Sequence, residues 1–426
     1  MTGTKERILN EVDRAQDEIT DFVSALVRIP TVNPPGDAYQ DAARFIGQRL
    51  AEMEFDVDYP VADEAADHSE RYPRINVVGL RKGRTDRPLV HLNGHIDVVP
   101  PGQGWSVDPF GGTITNGKLY GRGSCDMKAG IGAAVYACEA LRRAGVLLEG
   151  SLEVSGTVDE ESGGFAGVAF LCESGRIASD RTDYVIIPEP LNVDRICLGH
   201  RGVYWFKVTA YGRIAHGSMP FLGDSAIDRM REFLDAVRDD LLPQLDARVT
   251  EIPVVPAGAR HATLNVNAIT GGQSGQMPQS PCVADRCEAI FDRRFLREEG
   301  FDACKREVES LIARLSDGTG RYELEDLMVV HPVDTKASSP VVSSLEQSIA
   351  EVLGRPAERI ASPGTYDHKH VARIAGVEHC VAYGPGILEL AHQVDEYCTV
   401  DDLMNATKVI ALTLADLVAS PEGASA

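Results

Sequence analysis

Apolar residues recur three and four positions apart over residues 4–29 and 38–53 and predict two amphipathic helices, parted by the loop "RIPTVNPPGD". Beyond them the pattern alternates. "RINVVGL", "PLVHLNG", "GSLEVSGT" and "TDYVIIP" read as strands, while "DMKAGIGAAVYACEALRRAG" and "FAGVAFLCESG" read as helices, the first opening at an Asp cap. Nearly continuous apolar strands interleaved with helices predict an α/β fold whose mainly parallel sheet is flanked by helices on both faces.

The texture changes near residue 199. "HRGVYWFKVTAYGRIAHG" alternates like a strand, "DSAIDRMREFLDAVRDDLLPQL" is helical, "ATLNVNAITGG" and "PCVADRCEAIFDRRF" alternate again, and a helix follows near 298–315. This is an α+β unit inserted into the first. After about residue 330 the α/β rhythm returns with the strand "HCVAYGPG" and the closing helix "VDDLMNATKVIALTLADLVAS". The expected plan is a discontinuous catalytic domain over 1–199 and 326–426, with an inserted lid over 200–325.

Composition narrows the function. The 64 acids against 42 bases leave a net charge of −22, which argues against a nucleic-acid partner because that footprint needs clustered Lys and Arg. No 18-residue apolar run and no signal-peptide pattern occur, so neither a membrane span nor export is expected and the cytoplasm is the expected location. The nine cysteines contain no C-x-x-C pair and read as reduced core thiols.

The chemistry collects at strand exits, where open α/β sheets bind their ligands. "PLVHLNGHIDVV" exits into His95 and Asp97, "GSLEVSGTVDEE" into Glu160 and Glu161, "DYVIIPEP" into Glu189, and "HCVAYGPGILELAHQVDE" after a loop into His392. Asp126 sits where the Gly-rich "YGRGSCDMKAG" meets a helix. Singly, each has an ordinary explanation as a cap or a loop residue. Placed along one sheet edge, two imidazoles with several carboxylates form a donor set for Zn²⁺, or for Mn²⁺ or Co²⁺, too rich in acid for one ion. A pair of ions needs one bridging carboxylate, and Asp97 is placed to orient the imidazole of His95 from behind. A phosphate-binding reading of "GRGSCDMKAGIG" fails, since it lacks both G-x-G-x-x-G and a Lys-Ser/Thr pair.

In order and spacing, "NGHIDVVPPGQGWSVDPFGGTITNGKLYGRGSCDMKAG", "TVDEESGG", "IPEP", "GRIAHGSMP" and "AHQVDEY" resemble the M20 metallopeptidases, the group of acetylornithine deacetylase, succinyl-diaminopimelate desuccinylase, aminoacylase-1 and glutamate carboxypeptidase. The resemblance implies His95 and Glu189 on one metal ion, Glu161 and His392 on the other, and Asp126 bridging. It further implies Glu160 as general base, Asp97 behind His95, and His216 stabilising the oxyanion from a neighbouring subunit, hence a homodimer formed through the lid. Arg294 of "FDRRF" matches the family arginine for a substrate carboxylate, with Gln276, Gly364, Thr365 and Tyr366 expected nearby. Where many members read "GTSDAR" this chain has "GTYDHK", which puts Tyr366, His368 and Lys369 near the expected substrate pocket and makes Tyr366 the residue expected to narrow it or stack on a ring.

The implied activity is hydrolysis of a C–N (amide) bond in a small N-acyl amino acid or related carboxylate. A second expectation is hydrolytic deamination of an aromatic amino acid on the same metals, which Tyr366 motivates. A third, an inactive binding protein, is disfavoured because Glu160 and every ligand are present. Asp159 is expected to do no more than hold the turn by a hydrogen bond.

Overall fold

The computed structural model describes residues 2–274, 281–316 and 321–420. Two compact units emerge, one built from residues up to Gly199 with Thr335–Ile360 and the chain from Tyr366 onward, the other from His200–Asp334 with Ala361–Thr365.

In the first unit the sheet runs in the order Asp56–Asp58, Val77–Arg81, Ser151–Thr157, Leu89–His95, Tyr184–Ile187, Cys380–Ala382, Arg195–His200. The four strands from Ser151–Thr157 to Cys380–Ala382 are mutually parallel; Val77–Arg81 and Arg195–His200 pair antiparallel with the two ends of this run, and Asp56–Asp58 pairs antiparallel with Val77–Arg81. All seven residues of Leu89–His95 and of Ser151–Thr157 are buried, as their position in the middle of a layered fold requires. One face receives the helix Ala129–Arg143, which comes so close that a Cβ on Gly94 would lie 2.6 Å from Ile131 Cγ1. Val400–Val418 packs beside that helix, with Thr2–Arg14 and Pro340–Leu353 against it. Val90, Leu92, Ile96, Val154, Ile186 and Val381 join these helices in one apolar core. Each such buried side chain stabilises the fold by about 1.5–3 kcal/mol.

The alternate residues of Leu89–His95 build a polar layer instead. His91 Nδ1 lies 2.8 Å from Glu153 Oε1 and its Nε2 2.8 Å from Ser155 Oγ. The Ser155 hydroxyl donates to Asn93 Oδ1 at 2.8 Å.

Two local expectations change. The first predicted helix divides at Ala15 into Thr2–Arg14 and Gln16–Val27. Asp126 is not a cap: Ala129–Arg143 has Lys128 at its N-cap with no side-chain cap bond, and the preceding turn is irregular, with Asp126 at φ −114 and ψ 95.

The second unit is a four-stranded antiparallel sheet in the order Thr263–Gly272, Arg286–Phe295, Gly202–Tyr211, Tyr322–Val330. Its helices Ala226–Ala236 and Phe301–Ser316 close over Tyr204, Phe206, Phe233 and Phe291. Ser225 caps the first of them, its Oγ accepting from the Asp228 N–H at 3.2 Å. The expected exit at residue 326 falls inside the strand Tyr322–Val330, and this unit continues to Asp334. No helix among the described residues is long and apolar enough to cross a membrane.

Candidate metal centre

The four parallel strands end together, and the loops leaving them carry the candidate residues. His95 closes its strand, Glu160 and Glu161 form a short turn three residues beyond Thr157, and Glu189 follows Ile187 by two. Gly130 admits the start of the next helix against the third exit, because a Cβ there would sit 2.0 Å from Pro188 O. That contact sets Asp126 opposite His95 and Glu189.

Asp126 faces two imidazoles. Its Oδ1 is 3.1 Å from His95 Nε2 and its Oδ2 is 3.5 Å from His392 Nε2. Glu161 reaches His392 Nε2 at 3.1 Å, and Glu189 Oε1 lies 4.0 Å from His95 Nε2. His95, Asp126 and Glu161 offer ligand atoms that all fall within 4.8 Å of one another. Bonds about 2 Å long put donors on one ion within about 4 Å of each other, a span that the His95–Asp126 and Asp126–His392 separations meet. The nitrogen and carboxylate donors therefore fit divalent cations such as Zn²⁺ in type and spacing. His392 adopts the left-handed backbone, φ +62, which is uncommon for a residue other than glycine.

Charge points the same way. Burial raises the Glu161 carboxyl to about 7, against the pull of His392 and with a push from Asp126. Burial and then Asp126 lift Glu189 well above its ordinary range. Asp126 is buried too, yet hydrogen bonds from His392 and His95 hold its carboxyl low. In return Asp126 and Glu161 raise His392 to about 10, and Asp126 and Asp97 raise His95 in spite of its burial. The acids outnumber the imidazoles beside them, and added cations would remove that imbalance.

Asp97 does more than was expected of it. His95 Nδ1 is 3.0 Å from the main-chain carbonyl of Asp97 and 3.6 Å from its carboxylate, so the carbonyl is the nearer acceptor. The carboxylate accepts instead from the N–H groups of Glu160 and Glu161, both at 3.1 Å, and from Asn33 Nδ2 at 3.0 Å. One buried residue thus fixes both the imidazole and the turn bearing the acids. Asp159, at φ +63, accepts from Tyr39 OH at 2.8 Å and pairs with Arg74 Nε at 2.7 Å, which anchors that turn from its other side.

Glu396 was overlooked although "AHQVDEY" contains it. It is fully buried, ion-paired to Arg122, and accepts from the N–H groups of Cys125 and Asp126 at 2.9 and 3.1 Å. A carboxylate four residues after a ligand histidine was the available signal.

The remaining candidates lie elsewhere. His216 is exposed in the second unit with Nδ1 2.7 Å from Ser218 Oγ. Arg294, also there, forks onto Asp292 at 2.7 and 3.0 Å. Gly364 and Thr365 form the loop before the helix His368–Arg373, with the Gly364 N–H on Ser362 Oγ at 3.2 Å. Gln276 lies outside the described residues. Tyr366 is buried, only 5% exposed, with its hydroxyl 3.5 Å from Cys197 Sγ and 3.4 Å from His368 Nδ1.

Known proteins resemble the chain in sequence and in fold. The chain is 28% identical over 390 residues, 90% of its length and 94% of the relative's, to a succinyl-diaminopimelate desuccinylase of Thioalkalivibrio sulfidiphilus. It is 27% identical over 435 residues, 95% of each, to an N-formyl-4-amino-5-aminomethyl-2-methylpyrimidine deformylase of Halalkalibacterium halodurans. Its fold is similar to that of the di-peptidase Dug1p from Saccharomyces cerevisiae, with a TM-score of 0.76, 15% identity, and 98% and 99% of the two chains covered. The model of peptidase family M20/M25/M40 matches residues 91–416, and the chain belongs to that family.

Proposed function

We propose that this chain is a dinuclear metal-dependent amidohydrolase that cleaves the C–N bond of a small N-acylated amino acid or related carboxylate. The observation that carries the reading is Asp126, whose two oxygens face different imidazoles. In this reading His95 and Glu189 would hold one ion, His392 and Glu161 the other, and Asp126 would serve both. When bound, Zn²⁺, or Mn²⁺ or Co²⁺, supplies an acidified water and polarises the substrate carbonyl. Glu160, its main chain fixed on Asp97, takes the proton from the attacking water and returns it to the amine nitrogen as the C–N bond breaks. The His216 imidazole donates to the developing oxyanion.

His216 acts across a homodimer in this reading. Support comes from the second unit's exposed apolar residues, Phe221 at 78%, Ile269 at 55% and Ile227 at 49%, and from Thr263–Gly272 lying at a sheet edge. Arg294 receives the substrate carboxylate by exchanging it for Asp292, beside Gly364 and Thr365. The names of the two relatives support removal of a succinyl or formyl group; the cytoplasm is the compartment we assign. The aromatic deaminase reading rests on Tyr366 alone, and neither relative's name supports it.

The test joins metal analysis to a substrate panel. Protein stripped with EDTA should be inactive, and reloading should restore two ions per chain together with hydrolysis of N-succinyl, N-formyl or N-acetyl amino acids. Glu160→Ala should lower turnover by about 10²- to 10⁴-fold. Full activity in the stripped protein, or no amide hydrolysed by the reloaded one, would sink the proposal.

A further inference from the structure

The turn bearing Glu160 and Glu161 is walled by the segment Tyr366–His370. Gly164 lets the two meet, since a Cβ there would lie 2.7 Å from Asp367 Oδ1. His370 Nε2 is 2.7 Å from Gly163 O, and its ring meets Phe165 edge-on at 5.4 Å. From this wall Lys369 reaches back, its Nζ 3.5 Å from Glu160 Oε1, with the two side chains only 7% and 12% exposed.

This ammonium stands alone. Among the described residues, Asp97, Asp126, Glu161 and Glu189 make ion pairs only with imidazoles, and Lys369 is the lysine or arginine paired with Glu160. A buried ammonium is strongly unfavourable unless acids balance it. Asp367 is a second acid close by, and it feels both partners: burial raises its carboxyl to about 7, Glu160 pushes it further up, and Lys369 pulls it down. Asp367 is itself anchored to the sheet, because Asn93 Nδ2 donates to its Oδ2 at 2.8 Å and Asn93 accepts in turn from the Ser155 hydroxyl, which His91 holds.

Resting on the assignment of Glu160 as the proton carrier, we propose that Lys369 is its positioning residue. The ammonium orients the Glu160 carboxylate, and Asp367 retains the ammonium while Glu160 carries the proton. The proton passes from water to Glu160 and from Glu160 to the leaving amine. Lys369 exchanges no proton and forms no covalent bond in either step.

A substrate clamp is the rival role, since a buried lysine beside such a site also suits a substrate carboxylate. Steady-state kinetics with the fastest substrate of the panel separate the two. Lys369→Met should lower kcat by about 10- to 100-fold with KM nearly unchanged and metal content intact, and Lys369→Arg should restore most of kcat. In a Glu160→Gln background, Lys369→Met should cause no further loss. Asp367→Asn, which keeps the shape of the side chain, should also lower kcat without raising KM, and serves if Lys369→Met does not fold. A raised KM with kcat kept, or the same loss in the Glu160→Gln background, would overturn the proposal. Glu160→Gln turning over at the wild-type rate would instead overturn the assignment of Glu160.

Discussion

Asp97 concentrates several jobs in one side chain, because its carboxylate accepts three N–H groups while its carbonyl holds His95. Asp97→Asn would turn one acceptor oxygen into a donor facing the N–H of Glu160 or of Glu161. A hydrogen bond to a charged group contributes about 1.5–3 kcal/mol, so kcat should fall by about 10- to 150-fold. Metal analysis should show occupancy reduced as well, since Glu161 moves with the turn; a variant with wild-type kcat and full metal would refute this account. At this scale the sequence was legible where chemistry and position coincide. His95, Glu161 and Glu189 each follow a strand whose apolar run marks it plainly. Glu396 was not legible, and Lys369 only as a residue near the substrate pocket, because each acts on a neighbour distant in the chain, Asp126 through its N–H and Glu160 through its carboxylate. Tyr366 was legible only in part: a substitution in a pocket motif shows which side chain changed and not where it turns, and here its hydroxyl meets Cys197 and His368.

Among elements, the meeting of the Glu160–Gly164 turn with the helix His368–Arg373 makes two predictions. Gly164 has φ +78 and no room for a Cβ, whereas Gly145 has φ +68 with nothing within 4 Å. Gly145→Ala should cost about 1 kcal/mol for its backbone alone. Gly164→Ala should cost more, because the methyl also displaces Asp367, and it should lower kcat besides; equal urea midpoints for the two variants would contradict the packing argument. The helix also has a pH signature. Burial, helped by Lys369, lowers the His370 pKa to about 4 against the opposing hydrogen bond to Gly163 O. The folded state therefore binds fewer protons than the unfolded state between about pH 6.5 and pH 4, and stability is lost as pH falls through that window. His370→Gln keeps a donor for Gly163 O and does not titrate. The stability of wild type relative to this variant should be flat above pH 7 and decline on acidification by up to about 1.4 kcal/mol per pH unit. Legibility at this scale followed periodicity. The strand Tyr322–Val330 escaped because Glu323, Glu325 and Asp326 dilute its apolar positions and a bulge between Asp326 and Met328 breaks its alternation. The exit at 326 was misplaced with it.

For the molecule as a whole, two apolar cores that share no residue imply two responses to metal. The core of the first unit lies under the metal centre, while the second unit closes around Tyr204, Phe206, Phe233 and Phe291. The second unit has its own cluster of metal-type donors, Glu299, Cys304 and Glu307, but Arg248 and Arg293 already pair with both of its acids. Cations should therefore stabilise the first unit alone. A ligand at about 1,000 times its Kd adds about 4 kcal/mol to the state that binds it, and buried Glu161 and Glu189 are unfavourably close to Asp126 until cations arrive. Calorimetry of the stripped chain should resolve a lower transition that moves up by several degrees on adding Zn²⁺ or Mn²⁺, and an upper one that stays in place. If both transitions shifted together, or neither did, metal binding would not be confined to the first unit as its donors require.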